Sequence, residues 1–328
     1  MKKIVILSPY FGKFPETIEL TFSTMEHNST IDWVIFTDNT EYVNRYQNIK
    51  FIKMSFEDVK ELINAKFGTF ISTPYKICDY RPAYGVIFSK YVKGYDFWGY
   101  CDLDMIFGNL RKFFTEEKLE KYDKIYDAGH LSLYRNIESV SYAFMGSEEY
   151  KVPYKDIFNH KYNCIFDEVY NEDNRGINQV LEEQGFSVYV NRTEIADIDL
   201  KYKNFHIHDM EKMSDYYFIF DNGELILKRL SNPGFSYDIA YAHYQKRKKI
   251  PSCVTNMNQF ISTPKAFLDI SDSIDDMFFG SGDFCYLSYA EYRINRFIGN
   301  VKARLWQKTH SDVSKYNFKL PSRKRNEG

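Results

Sequence analysis

Gly94-Tyr95-Asp96-Phe97-Trp98-Gly99-Tyr100-Cys101-Asp102-Leu103-Asp104 reads as an aromatic, apolar strand that runs directly into two carboxylates. Acids at i and i+2 of an extended segment project to the same side, where they can share a divalent cation. Oxygen ligands favour Mg²⁺ or Mn²⁺ over zinc. Met105-Ile106-Phe107-Gly108-Asn109-Leu110 follows, and two acids beside so apolar a segment require a partner, because unpaired charge is costly to bury. A metal supplies one.

Toward the amino terminus, short apolar runs alternate with helix-length segments, the pattern of βα units feeding a largely parallel sheet. Strands are expected at Ile4 to Leu7, Trp33 to Phe36 and, more briefly, Phe51-Ile52. Pro15 suits the first turn of a helix reaching about Asn28, and further helices are expected near Phe56 to Ala65 and from about Pro74 to Lys90. In open α/β sheets ligands gather outside the carboxyl ends of strands, where Ser8, Asp38 and Asp102 all lie. Toward the carboxyl terminus, residues 125 to 200 are less regular and carry no assignment. Tyr216 to Phe220 and Glu224 to Leu230 flank Asp221-Asn222-Gly223, a strong turn signal, so a β-hairpin is expected there and one more strand at Ile239 to Tyr244.

Of the 328 residues, 44% are apolar and 18% aromatic, enough buried surface to exclude disorder along most of the chain. No stretch approaches the roughly 18 to 20 consecutive apolar residues of a spanning helix. Cys78, Cys101, Cys164, Cys253 and Cys285 are scattered without a C-x-x-C pair, which argues against a disulfide framework or a zinc site and for reduced thiols in a cytoplasmic protein. A net charge of −2 gives no general case for nucleic-acid binding. That balance hides an asymmetry: Cys285 to Gly328 holds ten Lys or Arg against three Asp or Glu, a local +7 that leaves −9 for the rest.

Two further constellations carry charge in a suggestive order. In Pro74-Tyr75-Lys76-Ile77-Cys78-Asp79-Tyr80-Arg81-Pro82, helical spacing puts Lys76 and Asp79 on one face. The functional reading has Lys76 or Arg81 holding a phosphate and Asp79 orienting it or a ribose; the plain alternative is a surface ion pair. His243-Tyr244-Gln245-Lys246-Arg247-Lys248 sets an imidazole beside a cationic cluster, able to complete a metal site while Lys246 and Lys248 neutralise phosphate oxygens; a solvated basic turn is the plain alternative.

Together these segments resemble the nucleotide-diphosphosugar transferases of the GT-A fold, in which an Asp-x-Asp motif holds a divalent metal that bridges the donor diphosphate. The segment Asp79-x-Arg81 ahead of Gly94 to Asp104 is similar to the acidic-arginine helix and metal strand of the family containing α-mannosyl and capsule-related sugar transferases. More closely, Pro74 to Gly85, Phe97 to Asp104, Gly129 to Asn136 and His243 to Lys248 resemble an uncharacterised bacterial family of that fold. The resemblance spans about residues 1 to 250. It implies a GT-A-like, Rossmann-like α/β catalytic domain over 1–250, with a mostly parallel sheet flanked by helices, a donor half to about 110 and an acceptor half beyond it. It also implies Mn²⁺ or Mg²⁺ on Asp102 and Asp104, with His243 as a third ligand, and a nucleotide-diphosphate sugar donor with a saccharide or lipid-linked acceptor in surface polysaccharide assembly. The glycine-and-proline pattern that related retaining enzymes carry after this histidine is absent; Gln245-Lys246-Arg247 stands there.

On the acceptor side, Phe166-Asp167-Glu168 precedes a polar loop, and Asp167 or Glu168 can accept the proton of an acceptor hydroxyl; equally, Asp167 can cap a helix or simply face water. Retention of configuration is expected from the histidine ligand. Trp98 is the aromatic best placed to face a sugar. Residues 251–328 are expected to form a partly helical basic extension, whose apolar spacing suits an anionic membrane surface or packing on the catalytic domain. Two other readings remain: a phosphatase of the haloacid dehalogenase type using the same acid pair, and a carbohydrate-binding protein without catalysis.

Overall fold

Val5 and Leu7 face one apolar core while Ile4 and Ile6 face another, because successive side chains of Ile4–Pro9 (β1) point to opposite faces of a sheet. In the computed structural model, which describes residues 1–309 except 148, 151, 153, 169–175, 246, 248, 249 and 251, β1 is an interior strand. It pairs in parallel with Ile31–Thr37 (β2), which pairs in parallel with Ile49–Lys53 (β3). On its other side it pairs in parallel with Phe97–Cys101 (β4), followed in the chain by the short Met105–Phe107 (β5). Lys124–Ile125 (β6), Leu131–Arg135 (β7) and Val188–Tyr189 (β8) complete seven strands in the order β3-β2-β1-β4-β7-β6-β8. Antiparallel pairing at β4–β7 and β7–β6 turns the sheet mixed beyond β4.

Helices cover both faces. Ile18–Glu26 (α1) sends Ile18, Phe22 and Met25 into the core beneath Ile4 and Ile6. Phe56–Phe67 (α2) sends Val59, Ile63 and Phe67, spaced by four, into the core beneath Val5 and Leu7. Each such side chain contributes about 1.5–3 kcal/mol by leaving water. A capping box between Ser55 and Asp58 starts α2, and Gly68, with φ +62°, ends it. The chain is thus α/β, with a mostly parallel central sheet flanked by helices.

Trp98 does not face a sugar. It is fully buried, stacks on Tyr134 at 4.4 Å and donates its indole N–H to Ser141 Oγ at 3.2 Å. A Cβ at Gly85 would lie 2.5 Å from its ring, so only glycine lets that segment pack so close.

Two smaller sheets follow. Tyr241–His243 (β13) pairs antiparallel with β5 and parallel with Ile195–Asp197 (β9). Tyr216–Asp221 (β10) and Glu224–Arg229 (β11) form the expected hairpin, with Asn222 at φ 47° and Gly223 at φ 96°, as a two-residue primed turn demands. Ser236–Asp238 (β12), Gln259–Ser262 (β14) and Phe267–Asp269 (β15) extend it to five strands. This antiparallel unit runs across position 250, where the division between domain and extension was expected. A 24-residue helix, Tyr286–Thr309, ends the described chain. No described helix is long and apolar enough to cross a membrane.

Candidate functional site

Leu103 decides where the acid pair points. Leu103, at the bend between β4 and β5, is buried in the same core as Cys101 and Met105, while Asp102 and Asp104 on either side of it both line the cleft. Their side chains are 30% and 26% exposed, open to a cleft of about 1260 Å³. Backbone bonds fix the corner: the Asp102 amide donates to His130 O at 2.9 Å, and the Tyr244 amide donates to Asp104 O at 3.0 Å.

The second of those bonds brings in His243, which lies opposite Met105 in the β5–β13 register. Its Nε2 sits 3.8 Å from Asp102 Oδ2 and 3.5 Å from Asp104 Oδ1, and one ligand atom from each of the three lies within 4.8 Å of the others. Two carboxylates and an imidazole form a donor set suited to Mn²⁺, and to Mg²⁺ with water making up the rest. Asp197, the register partner of His243 on β9, accepts from its Nδ1 at 2.8 Å. That contact fixes the ring so that Nε2 is turned to the acids. Burial opposes charge on His243, but its contacts with Asp104 and Asp197 overcome this and push its pKa up to about 10. Asp197 is itself held well below the usual carboxylate range, burial being outweighed by His243. His130 stacks on His243 at 4.3 Å; burial, and then the neighbouring His243, hold it down to about 3, so this ring is neutral.

Pro74–Ala83 forms a 3₁₀ helix with Pro82 inside it, not the expected α-helix, and the difference sorts its charges. With three residues per turn, positions i and i+3 eclipse. Tyr75, Cys78, Arg81 and Tyr84 consequently face the cleft, while Lys76 and Asp79 face the core. Lys76 Nζ donates to Asp79 at 2.5 Å, Ile157 O at 2.7 Å and Tyr162 O at 3.0 Å, and Asp79 accepts from the amides of Cys164 and Phe166. Lys76 is 1% exposed and Asp79 fully buried. The donor-binding roles expected of both are therefore corrected: they clamp residues 157–166 against the sheet, out of reach of a ligand.

Arg81 does reach the cleft. One guanidinium nitrogen bonds Asp102, and the other donates to Asp167 Oδ2 at 2.6 Å and Gly129 O at 2.6 Å. Asp167 is 1% exposed and pinned by this ion pair, while burial lifts its pKa against the pull of Arg81. Glu168, also lifted by burial, stands part-exposed on the cleft wall. Both acids expected to take a proton line the cleft, but Asp167 is buried and paired with Arg81, whereas Glu168 keeps exposed surface there.

Ser8 lines the cleft but spends its hydroxyl on Cys101 O at 2.8 Å. Asp38 is exposed outside the cleft and accepts from the Gly12 amide at 2.8 Å, so it acts on the loop that carries Tyr10 and Lys13 to the cleft wall. Lys246 and Lys248, and most of the polar loop after Glu168, lie outside the described residues. Asp197 was missed by sequence reasoning although Asp197-Ile198-Asp199 is a second Asp-x-Asp, also after a strand, and both acids line the cleft. None of the five cysteines is in a disulfide.

Among solved structures, the chain is similar to the apo-form glycosyltransferase GlyE of Streptococcus pneumoniae TIGR4, at 12% identity and a TM-score of 0.34 over 60% of this chain and 46% of that one. It thus spans about half the length of GlyE. It is also similar to a glycosyltransferase involved in glycosylation of the major capsid of PBCV-1, at 8% identity and a TM-score of 0.32 over 59% of this chain and 85% of the other. No curated protein matches its sequence. A family model matches residues 6–271, which include every described residue of the acid, histidine and arginine cluster, and by that match the chain belongs to DUF6625, a family of unknown function.

Proposed function

We propose that this protein is a metal-dependent glycosyltransferase that moves a sugar from a nucleotide-diphosphate sugar to a saccharide or lipid-linked saccharide acceptor in bacterial surface polysaccharide assembly. The observation that carries the reading is the convergence of Asp102, Asp104 and His243 on the wall of a cleft large enough for such a donor. When bound there, Mn²⁺ or Mg²⁺ supplies positive charge to the departing diphosphate oxygens. Arg81 holds Asp102 and Asp167 in place, and Asp197 holds His243. Glu168 orients the acceptor hydroxyl and takes a hydrogen bond from it. Retention of configuration belongs to the proposal through His243 as third ligand, the feature that the sequence resemblance implied.

Thermal stability measured against a panel of nucleoside diphosphates, with and without Mn²⁺, tests this reading. One nucleotide should raise the melting temperature only when Mn²⁺ is present, and Asp104→Ala should abolish the effect. A silent panel together with phosphate release from small phosphoesters would transfer the acid pair to a phosphatase. Stabilisation by oligosaccharides alone would make the protein a carbohydrate binder.

A further inference from the structure

The helix Tyr286–Thr309 has two unlike sides. One meets the body of the protein: Tyr289 and Tyr292 line the cleft, Tyr289 packs on Phe284 at 5.6 Å, and Trp306 packs edge-on against His160 at 4.9 Å. At 1.5 Å per residue its 24 residues span about 36 Å, so it meets the cleft near its start and the body of the protein again near its end. The other side carries Leu287, Ile294, Phe297, Ile298, Val301 and Leu305, exposed by 86%, 57%, 69%, 42%, 38% and 58%. At 100° per residue these six fall within an arc of about 100°, and Tyr289 and Tyr292 fall roughly opposite.

A contiguous apolar stripe of this size facing water marks an interaction surface. Its charge setting selects the occupant. The exposed Arg293 and Lys302 flank the stripe on its two edges. The helix as a whole carries five Lys or Arg against one acid, Glu291, and residues 310–328 add five more against two. Two copies of so basic a helix repel each other when stacked face to face, whereas an anionic surface attracts both edges while the stripe leaves water.

We propose that this stripe docks on an anionic lipid surface, with the helix lying in the interfacial plane and the cleft wall formed by Tyr289 and Tyr292 held against the membrane. An acceptor anchored in the same lipid then meets the cleft from the membrane side. Only the identity of that acceptor rests on the transferase reading; the docking itself does not.

Co-sedimentation of the full chain with phosphatidylglycerol and with phosphatidylcholine vesicles tests the proposal. Binding should favour phosphatidylglycerol by about tenfold or more and weaken severalfold at high salt. Leu287→Glu with Phe297→Glu should remove it while leaving nucleotide-dependent and Mn²⁺-dependent stabilisation as in the parent, since neither residue lines the cleft. Equal binding to both lipids, or none, would overturn it. So would a dimer in light scattering that the double variant converts to a monomer while vesicle binding is unchanged, because the stripe would then be covered by a second copy. Vesicle binding with a silent nucleotide panel would uphold docking and sink the transferase reading; the reverse result would do the opposite.

Discussion

Asp197 is the residue on which the geometry of His243 depends. A carboxylate that accepts from one imidazole nitrogen fixes which nitrogen is left for a metal, and removing such a partner typically lowers metal affinity 10–100-fold. Asp197→Asn should therefore weaken Mn²⁺ binding by about that factor in calorimetric titration, and Asp197→Glu should restore part of it; an unchanged Mn²⁺ affinity would show that β9 merely neighbours the site. The same contacts predict a pH signature in chelator-treated protein. The folded pKa of about 10 for His243 lies above the ordinary value of about 6.5, so the stabilisation its charge provides is fully present below about pH 6.5 and is lost as pH rises through about 10. His243→Asn should accordingly cost more unfolding free energy at pH 6 than at pH 10. An equal cost at both pH values would mean that the folded ring carries no extra proton.

At the scale of the element, the 3₁₀ segment Pro74–Ala83 decides more than any strand does. Its three-residue period separates Arg81, which serves the cleft, from Lys76 and Asp79, which serve the core. Breaking a buried ion pair leaves an uncompensated charge and costs about 3–5 kcal/mol. Lys76→Met should lower stability by that order in urea titration, and adding Asp79→Leu should recover part of it. A loss below about 1 kcal/mol for Lys76→Met would show that the backbone amides of Cys164 and Phe166 satisfy Asp79 unaided. Sequence spacing recognised the pairing of residues 76 and 79, because i and i+3 meet in both helix types. It did not distinguish a cleft-facing pair from a buried one, since burial depends on what packs above the segment. That covering piece, residues 157–166, lies more than seventy positions away.

At the scale of the whole molecule, the small net charge of −2 proves to be the sum of an acidic body and a basic end. The two ends of that asymmetry serve different surfaces. Asp102, Asp104, Asp197, Asp199 and Glu168 gather in the cleft, and the basic helix meets the same cleft through Tyr289 and Tyr292 with its apolar stripe exposed. The apparent choice between a membrane-facing helix and one packed on the catalytic body dissolves, because opposite sides of one helix can do each. The vesicle experiment tests the exposed side of the helix, and nucleotide-dependent stabilisation tests the cleft, so the two surfaces are read separately.

The sequence by itself determined the local features. Short apolar runs marked β1 and β2, Asn222-Gly223 marked the hairpin, and an apolar run marked the strand that ends just ahead of Asp102-Leu103-Asp104, because each depends on neighbours within a few residues. Beyond His243, which the resemblance implied, only tertiary structure decided which distant side chains join that pair, and it alone shows how each gets there. His243 arrives because β13 pairs with β5, Asp197 because β9 pairs with β13, and Arg81 because a 3₁₀ turn aims it across β4. Trp98, read as sugar-facing, went to the core for the same reason: strand alternation gives the two sides of a strand, and only packing says which side is wet.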